Sequence, residues 1–299
     1  MALSTINLQR LLFAILCIVW GTNWLAMKAG VTVVPPGIFS GLRWTAAGAL
    51  MIGWRMWHGQ RILAAPHVML RVTWLAFLMI SVNAVVMLYG LREITSGLAA
   101  VLCAALTSIA MIGFAAMLGQ ERFRMVQLVA LAMGLGGIAL LFGPKAYMGD
   151  LRTAEVIGAL AVVVGNLCYC WVSVVSRPLL RVMEPAQWVG LTNFIGGVIL
   201  IAGSLAFEPG AWEAMRLDWG WIPWFSMVSL IFAGSLGATV IYFYLMRDWG
   251  AGRTGTHAFV SPVIAVLLGV ALLGEQVHLM DAAGMLAMLG AAAIALRRA

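Results

Sequence analysis

The sequence predicts an all-α membrane protein: ten transmembrane helices arranged as two inverted five-helix repeats, with both termini cytoplasmic. Three observations lead there. The 299-residue chain is 63% hydrophobic and 10% charged with a mean hydropathy of +1.01, which leaves too few charges to coat a soluble surface of that size. Uncharged stretches recur at roughly the 20-residue length that crosses a bilayer at ~1.5 Å per residue. Finally, the membrane-helix sequence at 104–142 returns at 258–296, a shift of 154 residues, and internal duplication of this kind underlies many transporter folds.

In order, the expected spans are Leu11–Met27, Pro36–Trp57, Val72–Leu91, Ile94–Gln120, Met125–Pro144, Val156–Ser176, Pro185–Phe207, Trp219–Met246, Thr254–Gly274 and Ala282–Leu296. The second is interrupted by Arg43 and Arg55, and the first and last are short. No cleavable signal peptide is evident, so the first apolar run is expected to remain as the first span.

Orientation follows from the basic residues. On the side shared by the termini fall twelve (Arg10, Arg55, Arg61, Arg71, Arg122, Arg124, Arg177, Arg181, Arg247, Arg253, Arg297 and Arg298), against five on the other (Lys28, Arg92, Lys145, Arg152 and Arg216). The richer side is the cytoplasmic one. Because five is odd, a second copy of five spans must enter the membrane upside down relative to the first. The expected units are residues 1–148 and 149–299.

Within the repeat, Thr107 meets Ser261, Ser108 meets Pro262 and Glu121 meets Glu275. Upstream, with one extra residue in the second copy, Tyr89 to Glu93 matches Tyr244 to Asp248, and Pro36 parallels Pro185. One departure is charged: Arg43 corresponds to Thr192.

Several function classes drop out. The net charge of +7 is scattered singly between apolar runs, which argues against a nucleic-acid partner. Cys17, Cys103, Cys168 and Cys170 all fall inside spans with no metal-ligand spacing, so neither a disulfide frame nor a metal is expected. No G-x-S-x-G, H-E-x-x-H or paired membrane aspartate is present, so no enzyme and no cofactor is expected.

The segments WGTNWLAMK (20–28), LREITSGLAAVLCAALTSI (91–109), LGQERF (118–123) and FVSPVIAVLLGVALLGEQ (259–276) resemble the EamA-type repeat of the drug/metabolite transporter superfamily, across nearly the whole chain. Within that superfamily the chain is similar to the YddG-type aromatic amino-acid exporters. The resemblance implies ten helices, cytoplasmic termini, a bacterial inner membrane and export of small metabolites. It also implies a substrate cavity lined by helices 1, 3, 4, 6, 8 and 9.

Candidate site residues come from polar and aromatic stripes at helical spacing. Trp20, Asn23, Trp24 and Met27 form one on the first span; Asn83 with Met87 another on the third; Asn166, Tyr169, Cys170 and Ser173, with Trp171 adjacent, a third on the sixth. On the ninth, His257 and Ser261 share a face whose repeat partner is Cys103 and Thr107. Such residues either join helices or face a cavity. Tyr89 and Tyr244 complete the candidate substrate-binding set, and Pro262, which removes a backbone hydrogen bond in mid-span, is the candidate gate. For Arg43 both snorkelling to the near interface and cavity lining stay open.

All eleven acids fall at or near span ends or in loops, and Glu121 and Glu275 read as turn caps. The expected function is therefore export of small metabolites, chiefly amino acids including aromatic ones, by alternating access without obligatory proton coupling. The alternative is efflux of cationic drugs or other metabolites by proton antiport. The expected partners are a small-molecule substrate and membrane lipid, with a functional monomer.

Overall fold

The computed structural model describes residues 5–94, 96–121, 125, 128–129, 132–133, 135–136, 153–261, 263–264, 267 and 279–297. These residues are helical or in turns and loops, with no strand among them. The helices are α1 (Thr5–Val31), α2 (Pro36–Trp57), α3 (Pro66–Glu93), α4 (Ser96–Met117), α5 (Thr153–Ser176), α6 (Pro185–Phe207), α7 (Ala211–Ala214), α8 (Trp221–Trp249), α9 (Ala251–Thr254) and α10 (Leu279–Arg297). Most of the expected span Met125–Pro144, the latter part of Thr254–Gly274 apart from Leu267, the boundary between the two units, Glu275 and Pro262 lie outside the described residues.

Five described stretches are long and apolar enough to cross a membrane: Ile6–Asn23 within α1, all of α3, Val156–Ser176 within α5, and all of α6 and α8. Helix ends run past the uncharged stretches because charged residues are tolerated at an interface. Thus α3 begins at Pro66, six residues before Val72. Proline opens α2, α3 and α6, where a helix has no use for the missing N–H and its fixed φ is already helical.

Glycine and other small residues set the helix crossings. α2 packs antiparallel along α6: Cβ atoms added at Gly37, Gly41 and Gly48 would meet Ser204, Ile201 and Phe194 in turn, and one added at Gly197 would lie 2.5 Å from Thr45 N. The backbones approach because nothing projects between them. α3 and α5 are likewise antiparallel, with Gly90 against the Gly158 carbonyl and Gly165 against Met87. α1 runs antiparallel to α8, from Gln9 at Asp248 to Asn23 at Gly234.

Two helices contain π-helical segments, Phe77–Val82 in α3 and Leu230–Ala238 in α8. A shift of 155 residues, the one relating Tyr89 to Tyr244, carries the first onto 232–237, inside the second. Such segments widen the backbone spiral and recur at functional sites.

Carboxylates close both ends of the bundle. At the end holding Gln9 and Trp249, Glu121 accepts from the N–H groups of Ala251 (2.7 Å) and Gly252 (3.2 Å) and pairs with Arg177 at 3.4 Å. The sequence reads Glu121 as capping the turn to its own neighbouring helix; instead it caps α9, some 130 residues away. Gly250 makes room for it: φ is +86°, and a Cβ there would sit 2.3 Å from Glu121 Oε1. At the opposite end Glu208 accepts from the Gly37 N–H at 3.0 Å and from the hydroxyls of Ser204 and Tyr89.

Candidate functional site

Between these helices lies a cavity of about 190 Å³, an order of magnitude more than the ~10–15 Å³ that one water needs. α1 contributes Trp20, Asn23 and Met27, one stripe at i, i+3 and i+7. The π segments and the turns beside them add Met79, Ile80, Asn83 and Met87 from α3, and Gly234 and Thr239 from α8. Cys103 and Thr107 come from α4, and Asn166 and Tyr169 from α5. His257, Ala258 and Ser261 line it from the helical stretch 257–261. Helix α2 supplies Arg43 and Trp44.

Aromatic rings form one wall. Trp20 sits 4.6 Å from His257, edge to face, 5.0 Å from Tyr242 and 6.3 Å from Tyr169. Offset and edge-on pairs of this kind are each worth about 0.5–1.5 kcal/mol beyond burial, so the wall is held in one arrangement. His257 Nδ1 lies 2.9 Å from the Thr254 carbonyl, which can only accept. Nδ1 therefore carries a proton, and in the neutral ring Nε2 is the acceptor.

The polar groups of the lining are largely held by neighbours. Asn83 donates to the Gly165 carbonyl at 2.7 Å, and Thr107 donates to Asn166 Oδ1 at 3.0 Å. Asn166 in turn donates to the Cys103 carbonyl at 3.4 Å, tying α4 to α5. Asn23 lies against Gly234, where a Cβ would come within 2.8 Å of its amide nitrogen. Among the described residues Ser261 Oγ, which is buried, has no hydrogen-bond partner.

Among the described residues Arg43 is the only Lys or Arg lining the cavity, and no carboxylate lines it. The residue is 5% exposed, seven residues into α2, or ~10 Å along its axis. Nε donates to Ser235 at 3.1 Å, and the guanidinium lies 4.0 Å over the Trp44 ring. A lone Arg at such depth costs about 2.5–3.5 kcal/mol on insertion scales. A cation–π contact returns roughly 0.5–2 kcal/mol and a hydrogen bond from a charged donor about 1.5–3 kcal/mol, so these two contacts are of the size needed to hold the residue there.

Eight of the sequence-derived candidates meet here: Trp20, Asn23, Asn83, Thr107, Asn166, Tyr169, His257 and Ser261. The side chain of Trp24 and the whole of Pro262 lie outside the described residues. Three others do not line the cavity. Tyr89 is at the bundle end, donating to Glu208 at 2.7 Å with Arg92 over its ring. Tyr244 lies under Arg247, whose guanidinium is 5.2 Å away. Trp171 turns to Phe114, edge-on at 5.3 Å; one residue past Cys170 is a turn of about 100° around the helix. The sequence missed Met79, Ile80, Gly234 and Thr239, since a π segment leaves no periodic mark.

Helices of membrane-crossing length gathered around a small cavity with polar and aromatic walls are the build of a multi-pass membrane transporter. The chain belongs to the EamA-like transporter family, whose profile matches residues 8–143 and again residues 156–297. It is therefore a transporter and not an enzyme. Over 266 residues it is 30% identical to the uncharacterized inner membrane transporter YedA of Escherichia coli (strain K12), covering 88% of this chain and 82% of that one. It is 25% identical to the uncharacterized transporter YoaV of Bacillus subtilis (strain 168), covering 87% of each. A solved crystal structure with 22% identity superimposes at a TM-score of 0.79 over 96% of both chains, a likeness of fold alone.

Proposed function

We propose that the chain exports small amphiphilic metabolites, chiefly amino acids including aromatic ones, across a bacterial inner membrane by alternating access, as a monomer of ten spans in two inverted repeats with cytoplasmic termini. The cavity carries this reading. Its aromatic wall suits an apolar side chain, while Arg43, His257 Nε2 and Ser261 Oγ suit the charged end of a zwitterion. The antiparallel crossing of α2 and α6, whose opening prolines correspond in the repeat, supports the inversion.

Transport is without obligatory proton coupling. Among the described residues every carboxylate stands at a helix end or in a loop, and none lines the cavity where proton and substrate would compete. The test is efflux of labelled phenylalanine from proteoliposomes holding the purified protein. Release should run down the substrate gradient at similar rates with and without an imposed pH gradient. Uphill accumulation driven by the pH gradient alone would refute the uncoupled mechanism, and release no faster than from protein-free vesicles would refute the amino-acid substrate.

A further inference from the structure

We infer that Arg43 is the anchor for a carboxylate on the transported molecule, so that the cavity selects small carboxylates with an aromatic or apolar tail and rejects the matching amines. The inference rests on reading this cavity as the transport site and goes beyond it by naming the group that is recognised and the residue that recognises it.

Among the described residues Arg43 makes one hydrogen bond, Nε to Ser235 Oγ, which uses a single one of its five N–H donors. Trp44 covers a face of the guanidinium and takes no donor. Among the described residues no carboxylate pairs with it, although Arg55, Arg177 and Arg247 each find one. The remaining donors lie at the terminal fork, on a residue that lines the cavity. An Nη1/Nη2 fork held flat by a ring matches the two oxygens of a carboxylate.

Packing does not require this charge. In the second repeat the matching residue, Thr192, is buried in α6 with its hydroxyl turned back to the Trp188 carbonyl at 2.8 Å. The same helix pair therefore accommodates an uncharged residue at the related position. The cavity residue left unexplained by packing is a buried cation with most of its donors free.

The choice of anion follows from charge and size. One arginine balances one negative charge, and among the described residues no second Lys or Arg lines the cavity to meet a phosphate dianion. About 190 Å³ beside Trp20, Trp44 and Tyr169 admits a small molecule with a flat or apolar tail. An amine without a carboxylate would bring its positive charge to Arg43 with no carboxylate among the described lining residues to offset it.

Three probes of one skeleton decide the matter: phenylalanine, 3-phenylpropionate and 2-phenylethylamine. Binding of each to the purified full-length protein is read from quenching of tryptophan fluorescence. Phenylalanine and 3-phenylpropionate should bind, and 2-phenylethylamine should bind at least tenfold more weakly. Arg43→Gln should weaken both carboxylates by roughly ten- to a hundredfold, the range for a charge-assisted hydrogen bond, and strengthen the amine, since it removes the repelling charge. Arg43→Lys keeps the charge without the fork and should fall between the two.

Equal binding of the amine and phenylalanine to the wild-type protein overturns the anchor, and that comparison needs no variant to fold. Unchanged carboxylate affinity in Arg43→Gln overturns it as well, while leaving the amino-acid reading intact. Arg43-dependent binding of 3-phenylpropionate with none of phenylalanine would sustain the anchor and sink the amino-acid reading. Failure of all three probes to bind the wild-type protein removes both.

Discussion

Replacing Gly48 by alanine tests whether the α2–α6 crossing holds the bundle together. An added Cβ would stand 2.3 Å from Phe194 N, 2.6 Å from its Cα and 2.7 Å from its Cβ. Ordinary contacts begin near 3.5 Å, so the two helices would have to part by about 1 Å. The obstacle is mainly backbone, which cannot swing aside as the end of a side chain can. Overpacking of this kind costs roughly 1–3 kcal/mol, and a 1 Å gap forfeits about half of each dispersion contact along the crossing. Alanine returns ~1 kcal/mol of helix propensity, leaving a net loss of about 2 kcal/mol when the cost lies at the upper end of that range.

Gly53 on the same helix is the control, since nothing lies within 4 Å of its added Cβ. Thermal unfolding followed by tryptophan fluorescence, in one detergent at one scan rate, compares the two. At roughly 2 °C per kcal/mol for a chain of this size, Gly48→Ala should melt about 4 °C lower, and Gly53→Ala at or slightly above the wild-type temperature. A Gly48→Ala protein that melts no lower than Gly53→Ala would refute the close crossing.

Trp20→Ala removes the ring that joins His257, Tyr242 and Tyr169, and should raise the half-saturating substrate concentration for transport about tenfold or more, a loss of ~1.4 kcal/mol or beyond. Tyr89→Ala, Tyr244→Ala and Trp171→Ala, whose side chains are engaged elsewhere, should leave it unchanged; a larger effect at Trp171 than at Trp20 would move the site. For topology, single cysteines at Gly149 and Gly59 in an otherwise cysteine-free protein should be labelled from outside and not from outside, respectively, and the reverse pattern would overturn the cytoplasmic termini.

Much of the helix pattern was legible because length and hydropathy are nearly all a bilayer asks of a span. The short helices α7 and α9 carry no such signature and went unread. In the site, the candidates that reach the cavity were those chosen by helical spacing: Trp20 with Asn23, Asn166 with Tyr169, and His257 with Ser261. Spacing reports which side chains share a face, and a shared polar face on a buried helix has few places to go. Chemical appeal alone was a poorer guide. Trp171 was attractive as an aromatic beside a polar stripe, yet its position on the helix turns it toward Phe114.

The repeat misled in a specific way. Tyr89 and Tyr244 were paired by it, and both sit by an arginine near a helix end. A duplicated fold keeps matched residues where both copies face the same packing problem, so identity across the repeat marks structure. The π segments illustrate this, occurring at related positions in α3 and α8 as a property of backbone. A substrate, however, meets both halves at once and has two different ends. The residues that can tell those ends apart are ones the repeat does not match: Arg43 against Thr192, and His257 against Cys103. Three of these four line the cavity, and the fourth, Thr192, is satisfied within its own helix. In a chain built by duplication, a polar mismatch at corresponding buried positions is therefore a better pointer to chemistry than a match.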